Sequence, residues 1–187
     1  MDEQRVRTGS VLARKEDCVL VVIDVQEKLV PVIAGEEEVI QNIVKLIKFA
    51  KIVDVPMIIT EQQNLGSTVE PIRSETGEIE PISKMDFSCF ASGPFQNYLR
   101  SLGRKTLILT GIESHICVAQ TALDAPQDYR IQIVSDAVAS RDPRNREIAL
   151  GRMLKAGITV TSTEMFIYEL LRKAGTDQFR ATLPLVK

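Results

Sequence analysis

TLILTGIESHICVAQTALDA, residues 106–125, decides the fold that we expect of this chain. Residues 106–110 form an apolar run of strand type, and the chain is predicted to turn at Gly111. After the polar passage Glu113-Ser114-His115, a helix-compatible segment starts near Cys117. A strand that leads through a turn into a helix places the first helical residues at the carboxyl end of a parallel sheet, where α/β proteins bind ligands. Free amide groups and the positive end of the helix dipole favour a thiolate there, so the sequence predicts a nucleophilic Cys117.

On either side of this stretch, strand-type runs alternate with segments of helical periodicity. Strands are predicted at residues 18–24, 55–60, 80–84, 105–110, 130–135 and 158–161, and helices at 36–53, 94–102, 143–155 and 163–171. Residues 61–79 are predicted to be a long loop with room for one helical turn. Asp142 and Thr163 are predicted to cap the last two of these helices. The alternation predicts an α/β protein with a three-layer α/β/α, Rossmann-like architecture and a six-stranded, mostly parallel sheet. No linker divides the chain, so we expect one domain over residues 1–187, with residues 1–16 as an N-terminal arm.

Composition narrows the possible functions. The 187 residues carry a formal net charge of −2, which gives no electrostatic case for binding nucleic acid or an anionic membrane. No apolar run approaches the ~18 residues of a membrane span, and the first residues lack the apolar centre of a signal peptide. Three cysteines form an odd number without framework spacing, which favours reduced thiols and a cytoplasmic protein. The single histidine excludes a multi-histidine metal site.

Three predicted strand ends carry side chains that suit one chemistry. The first strand ends at Asp24, the third at Lys84, and the fourth leads to Cys117. Because the carboxyl ends of parallel strands meet at one edge of a sheet, these side chains could converge. A cysteine can attack an electrophilic carbon, a carboxylate can take and return its proton, and an ammonium can keep that carboxylate ionised.

The same residues carry a resemblance to a known family. The chain resembles the isochorismatase-like cysteine hydrolases, a superfamily that includes nicotinamidases and isochorismatases, in IDVQ at residues 23–26, in Lys84 within SKMDFSCF, and in GIESHICVAQTALDA at residues 111–125. The match is collinear from about Cys18 to Phe166, and the segment around the cysteine is its most specific part.

The resemblance implies a role for each matched residue. Cys117 would be the nucleophile, Asp24 the general acid/base and Lys84 its partner. It also implies a cis peptide bond between Ile112 and Glu113, which would set the amides of Glu113 and Cys117 side by side as an oxyanion hole. The fold implied is a six-stranded parallel sheet between helices, and the family usually assembles into homo-oligomers.

One departure from the nicotinamidases bears on cofactors. Nicotinamidases hold a divalent metal with an aspartate and two histidines after the second strand, whereas this region reads TEQQNLGSTVEP and contains no histidine. The resemblance therefore implies a hydrolase without a metal or other cofactor, acting on a small amide or on a related C–N or vinyl-ether bond. One alternative is a non-catalytic oligomeric scaffold that keeps the fold. The other is a redox-responsive thiol protein, which would need Cys89 close to Cys117 as a resolving thiol because the sequence contains no C-x-x-C motif.

Several neighbouring residues stay open at this level. Gln26, Phe87 and Phe90 suit the walls of a substrate pocket, although core packing explains the phenylalanines equally well. His115 could line the pocket, start the helix or act as a base. Cys89 could line the pocket, pair with Cys117 or be structural.

Overall fold

A six-stranded sheet forms the centre of the structure, a computed structural model that describes residues 12–187. The strands are β1 (Cys18–Ile23), β2 (Met57–Gln62), β3 (Ile82–Lys84), β4 (Thr106–Ile112), β5 (Arg130–Ala139) and β6 (Thr159–Thr161). They lie in the order β3-β2-β1-β4-β5-β6, and each neighbouring pair is parallel. The predicted α/β class and six-stranded sheet are therefore confirmed, and the sheet is wholly parallel. Residues 1–11 of the expected N-terminal arm lie outside the described residues.

Helices cover both faces of this sheet. They are α1 (Glu36–Ile52), α2 (Glu70–Thr76), α3 (Gly93–Leu102), α4 (Ala119–Asp124), α5 (Pro143–Lys155), α6 (Thr163–Leu171) and α7 (Asp177–Val186). Buried residues of α1, α2 and α6 share one core with Leu20 and Val22, whereas α3, α4 and α5 share the other with Val19 and Val21. Alternate residues of β1 thus enter opposite cores, which explains why the whole strand is apolar. Among residues 12–187, no helix combines the length and apolar character needed to cross a membrane.

Gly111 is not the turn that the sequence predicts, because β4 continues through it to Ile112. Its backbone has a φ of +117°, and a Cβ built on it would lie 2.1 Å from the carbonyl oxygen of Ile23. Glycine is required here because β4 approaches the end of β1 too closely for any side chain. The chain leaves the sheet one residue later, at Glu113, and enters a turn of π-helix over Ser114–Val118 before α4.

Three further predictions are corrected by the structure. β5 extends to Ala139 instead of ending at residue 135, since Val138 and Ala139 pair with β4, and its polar Asp136 is bound to α6. Its carboxylate accepts hydrogen bonds from the backbone N–H and the hydroxyl of Thr163, at 2.8 and 3.0 Å. With Thr163 engaged in this way, the cap of α6 is Ser162, whose hydroxyl accepts from the Met165 amide at 3.3 Å. The predicted loop at 61–79 contains α2, and α7 was not predicted at all.

Candidate active site

The carboxyl ends of β1 and β3 meet in a buried ion pair. Asp24 directly follows β1, and Lys84 is the last residue of β3. The Lys84 Nζ donates to Asp24 Oδ2 at 2.6 Å, and both side chains have 0% exposure. Because β2 lies between these strands, the Lys84 side chain reaches Asp24 across the end of β2.

Each of the three N–H donors of Lys84 has a nearby acceptor. Besides Asp24, the ammonium donates to Gln62 Oε1 at 2.9 Å and to the carbonyl of Asp86 at 3.2 Å. The other oxygen of Asp24, Oδ1, accepts from the Thr60 hydroxyl at 2.7 Å. A charge pair without water is stable only when its remaining hydrogen-bonding positions are filled, as they are here. The pair is therefore fixed in place and is not a mobile surface contact.

Cys117 lies beside this pair, in the π-helical turn that follows β4. It is 7% exposed, and its thiol lies close enough to Asp24 and Lys84 to interact with the charges of both. Burial raises the pKa of the Cys117 thiol far above its ordinary value, the charge of Asp24 raises it further, and Lys84 lowers it by less. The expectation of a resting thiolate is therefore wrong. The thiol keeps its proton, and Asp24 is the acceptor in contact with it.

The residues before Cys117 form a second polar cluster. The peptide bond between Ile112 and Glu113 is cis. The Glu113 carboxylate accepts from the guanidinium of Arg141 and, at 3.1 Å, from the Arg141 backbone N–H. His115 places its Nδ1 at 3.0 Å from the Ser140 hydroxyl and 3.4 Å from Glu113 Oε2. His115 and Arg141 therefore face Glu113 and the loop after β5.

The structure separates the residues predicted to line a pocket. Gln26 is fully buried, and its amide bonds to the backbone N–H and C=O of Gln62 and to the carbonyl of Gly66. Phe90 packs against Phe95 and Tyr129, with ring centroids 5.6 Å apart in each pair. Phe87, in contrast, is 51% exposed just after Lys84. Among the three, Phe87 is therefore the side chain with apolar surface left to offer a ligand.

Cys89 lies inside the site without being exposed. Its side chain is fully buried, and the charges of Lys84 and Asp24 lie near enough to influence the ionisation of its thiol. Burial raises the pKa of the Cys89 thiol to about 11, and hydrogen-bonding contacts with Thr121 and Thr60 lower it by less. The thiol is consequently protonated at neutral pH.

Sequence analysis missed two residues of the site, Thr60 and Gln62. Both lie on β2 and, being two apart, project from the same face of the strand. Glu61 between them points away, and its carboxylate accepts from the backbone N–H and hydroxyl of Thr68 at 2.6 and 2.7 Å. Alternation of polar residues at the end of an apolar strand is the signal that could have found them.

A half-open cavity of about 760 Å³ lies elsewhere on the molecule. Its wall includes Thr106, Arg130 and Thr159, the first residues of β4, β5 and β6, so it borders the amino-terminal edge of the sheet. None of the three predicted catalytic residues lines it. Over residues 12–187, no three His, Cys, Asp or Glu side chains are grouped closely enough to hold a metal ion.

The comparisons with known proteins now identify the class. The family model described as the isochorismatase domain matches residues 18–165. The secreted isochorismatase effector Isc1 of Phytophthora sojae is 35% identical over 176 residues, which cover 90% of this chain and 84% of that protein. The chain therefore belongs to the isochorismatase family and has the hydrolase fold of that superfamily.

Solved structures agree with this assignment. The MAR1 ribonuclease from Caenorhabditis elegans is 32% identical, with a TM-score of 0.86 over 94% of this chain and 92% of that one. The YcaC gene product of Escherichia coli, an octameric hydrolase of unknown specificity, gives a TM-score of 0.86 at 23% identity, over 94% of this chain and 93% of that one. The second likeness shows the fold alone.

Proposed function

We propose that this chain is a metal-independent cysteine hydrolase that cleaves a small amide, or a related C–N or vinyl-ether bond. The observation that carries the proposal is the contact of one buried carboxylate, Asp24, with both the Lys84 ammonium and the Cys117 thiol. A nucleophile, a base in contact with it and a third group that orients the base form the arrangement that activates a weak nucleophile.

For an amide, each proton transfer passes through Asp24. The carboxylate takes the Cys117 proton as the sulfur attacks the carbonyl carbon, and the protonated acid then donates that proton to the departing amine as the C–N bond breaks. Asp24 next takes a proton from water while the hydroxide attacks the thioester, and it returns this proton to the sulfur as the acid leaves. Lys84 stays protonated and holds the carboxylate in place throughout.

We assign the developing oxyanion to the backbone amides of Glu113 and Cys117. This assignment is supported by an unused donor: among residues 12–187, the Glu113 amide donates no hydrogen bond to another atom of the protein. The Glu113 side chain points elsewhere, to Arg141, so the residue would contribute through its backbone. Preorganised donors of this kind typically each contribute about 10²–10³ in rate.

The case for contact with substrate differs among the four residues Gln26, Phe87, Phe90 and His115. Phe87 and His115 stay candidates for substrate contact because both are partly exposed near the site. Phe90 has packing partners, and Gln26 is better suited to holding Gln62, which in turn contacts Lys84. A cytoplasmic location and a homo-oligomeric state belong to the proposal as well, and the octameric Escherichia coli hydrolase is consistent with the latter.

The test is turnover of a panel of small amides and isochorismate by the wild type and by Cys117→Ala. We expect turnover to fall at least about thousand-fold in Cys117→Ala. Cys18→Ala, a matched removal of a buried thiol in the first residue of β1, should leave it unchanged. Cleavage that persists in Cys117→Ala would overturn the mechanism. A wild type inactive on the whole panel favours the non-catalytic scaffold.

An RNA substrate belongs in the same panel, because the Caenorhabditis elegans relative is a ribonuclease. The formal charge of −2 gives this chain no electrostatic attraction for RNA, so we expect no cleavage. RNA cleavage that does not depend on Cys117 would contradict the proposed function.

A further inference from the structure

Thr60 holds Asp24 in two ways. Its carbonyl accepts from the Asp24 backbone N–H at 3.2 Å, and its hydroxyl donates to Asp24 Oδ1 at 2.7 Å. Both residues have 0% exposure, so water does not compete for these bonds. Since Lys84 takes Oδ2, the two oxygens of Asp24 have different, fixed partners.

We propose that Thr60 is the positioning residue of Asp24, because its hydroxyl and its carbonyl together hold this residue in the orientation that the carboxylate needs beside Lys84 and Cys117. The proposal deepens the hydrolase function and rests on it. Asp24 must accept and release protons in each turnover without rotating away from Cys117. The ionisable groups that face it are Lys84, Cys117 and Cys89, and Thr60 is the neutral donor that completes its surroundings.

The first arm of the test replaces the hydroxyl of Thr60 by a methyl group of similar size. In Thr60→Val we expect kcat to fall about ten- to hundred-fold with KM changed less than about two-fold, as for loss of a bond to a charged group. A hydrogen bond to the ionised form favours that form, so its loss should move the acid limb of kcat/KM to higher pH. Thr60→Ser, which keeps the hydroxyl, should retain the wild-type kcat and the wild-type acid limb of kcat/KM.

The matched control is Thr110→Val. Thr110 is another fully buried strand threonine, but its hydroxyl donates to the Val21 carbonyl at 3.1 Å and does not touch Asp24. The Thr110→Val variant should keep the wild-type pH profile of kcat/KM. An equal change in Thr60→Val and Thr110→Val would reduce Thr60 to a structural role and overturn the proposal.

The second arm needs no substrate. Because Asp24 raises the pKa of the Cys117 thiol, the rate at which iodoacetamide labels Cys117 reports whether the carboxylate stays beside the sulfur. In Thr60→Val we expect this labelling at pH 8 to be at least about three-fold faster than in the wild type, and in Thr60→Ser and Thr110→Val to be unchanged. Unchanged labelling in Thr60→Val refutes the positioning role even if the panel yields no substrate. Faster labelling without turnover counts against the hydrolase function alone.

Discussion

Asp24 is an unusual residue because it carries charge without any exposed surface. Its backbone adopts a left-handed conformation, with a φ of +54°, at the point where β1 ends. Residues other than glycine occupy that region at a cost of about 1–2 kcal/mol, and aspartate tolerates it better than most. In this conformation the carboxylate reaches Lys84 and Thr60, so the backbone at the end of β1 fixes the position of the carboxylate.

The electrostatics of Asp24 predict opposite effects on two reactions. Its charge and hydrogen bond both raise the pKa of the Cys117 thiol, so removing them in Asp24→Asn lowers that pKa and increases the thiolate fraction at any pH below it. We expect iodoacetamide to label Cys117 about ten-fold faster at pH 8 in Asp24→Asn, while turnover is lost.

The labelling is followed by peptide mass spectrometry. Asp86→Asn serves as the control, since the Asp86 side chain is exposed and only its backbone carbonyl contacts Lys84. Slower labelling in Asp24→Asn would show that Asp24 does not suppress the thiolate, and the assignment of a resting thiol would be wrong.

At the residue scale, the strand-end rule selected Asp24, Lys84 and Cys117, and in the structure Asp24 binds Lys84 and lies beside Cys117. Thr60 was missed although it ends the predicted strand, because a threonine carries no charge to mark it, and Gln62 was missed because β2 continues two residues beyond its predicted end. The ionisation of Cys117 was misjudged for a physical reason. The helix-terminus argument takes no account of burial or of a carboxylate in contact, and those two effects decide the pKa.

At the element scale, the contact of β4 with β1 fixes the position of the active-site turn. In Gly111→Ala, a methyl group would lie 2.1 Å from a carbonyl oxygen of the neighbouring strand. We expect a loss of more than about 4 kcal/mol in the free energy of unfolding, seen as insoluble expression or a collapse of the melting temperature.

Gly103→Ala provides the comparison. Gly103 also has a positive φ, +64°, but nothing lies within 4 Å of the Cβ it would gain. It should cost only about 1–2 kcal/mol, the penalty of the backbone conformation. If the two variants were destabilised equally, strain in φ would explain both, and the close approach of the strands would play no part.

Helices and strands with a clear apolar pattern in the sequence were predicted well, and those with an interrupted pattern were cut short or missed. The helix predicted at 36–53 appears as Glu36–Ile52 because its apolar periodicity is long and uninterrupted. β5 was cut short because Asp136 is polar, and only the tertiary bond from Thr163 shows why a strand tolerates it. α7 was missed although Thr176 caps it, accepting from the Phe179 amide at 3.0 Å, because Pro184 lies inside the helix and reads as a helix breaker.

At the scale of the whole molecule, exposed apolar side chains surround the described core. Among the larger ones are Phe87, Ile148, Leu154 and Met165, with exposures of 51%, 67%, 60% and 62%. Exposed apolar side chains that are scattered singly are normal on a protein surface, so the expected homo-oligomer rests on the family resemblance. We predict that light scattering coupled to size exclusion gives a mass that is an integral multiple, greater than one, of 20.8 kDa. A peak at 20.8 kDa across micromolar concentrations would contradict the predicted homo-oligomer.

The central claim is that the Cys117 sulfur forms a covalent bond with the acyl group of the substrate. Intact-mass spectrometry of the protein, quenched in acid during turnover of an amide from the panel, tests it directly. The account predicts an added mass equal to the acyl group, mapped by peptide digestion to Cys117 and absent from Cys117→Ala. Rapid turnover with no adduct on Cys117, or with an equal adduct on the Cys117→Ala protein, would contradict it.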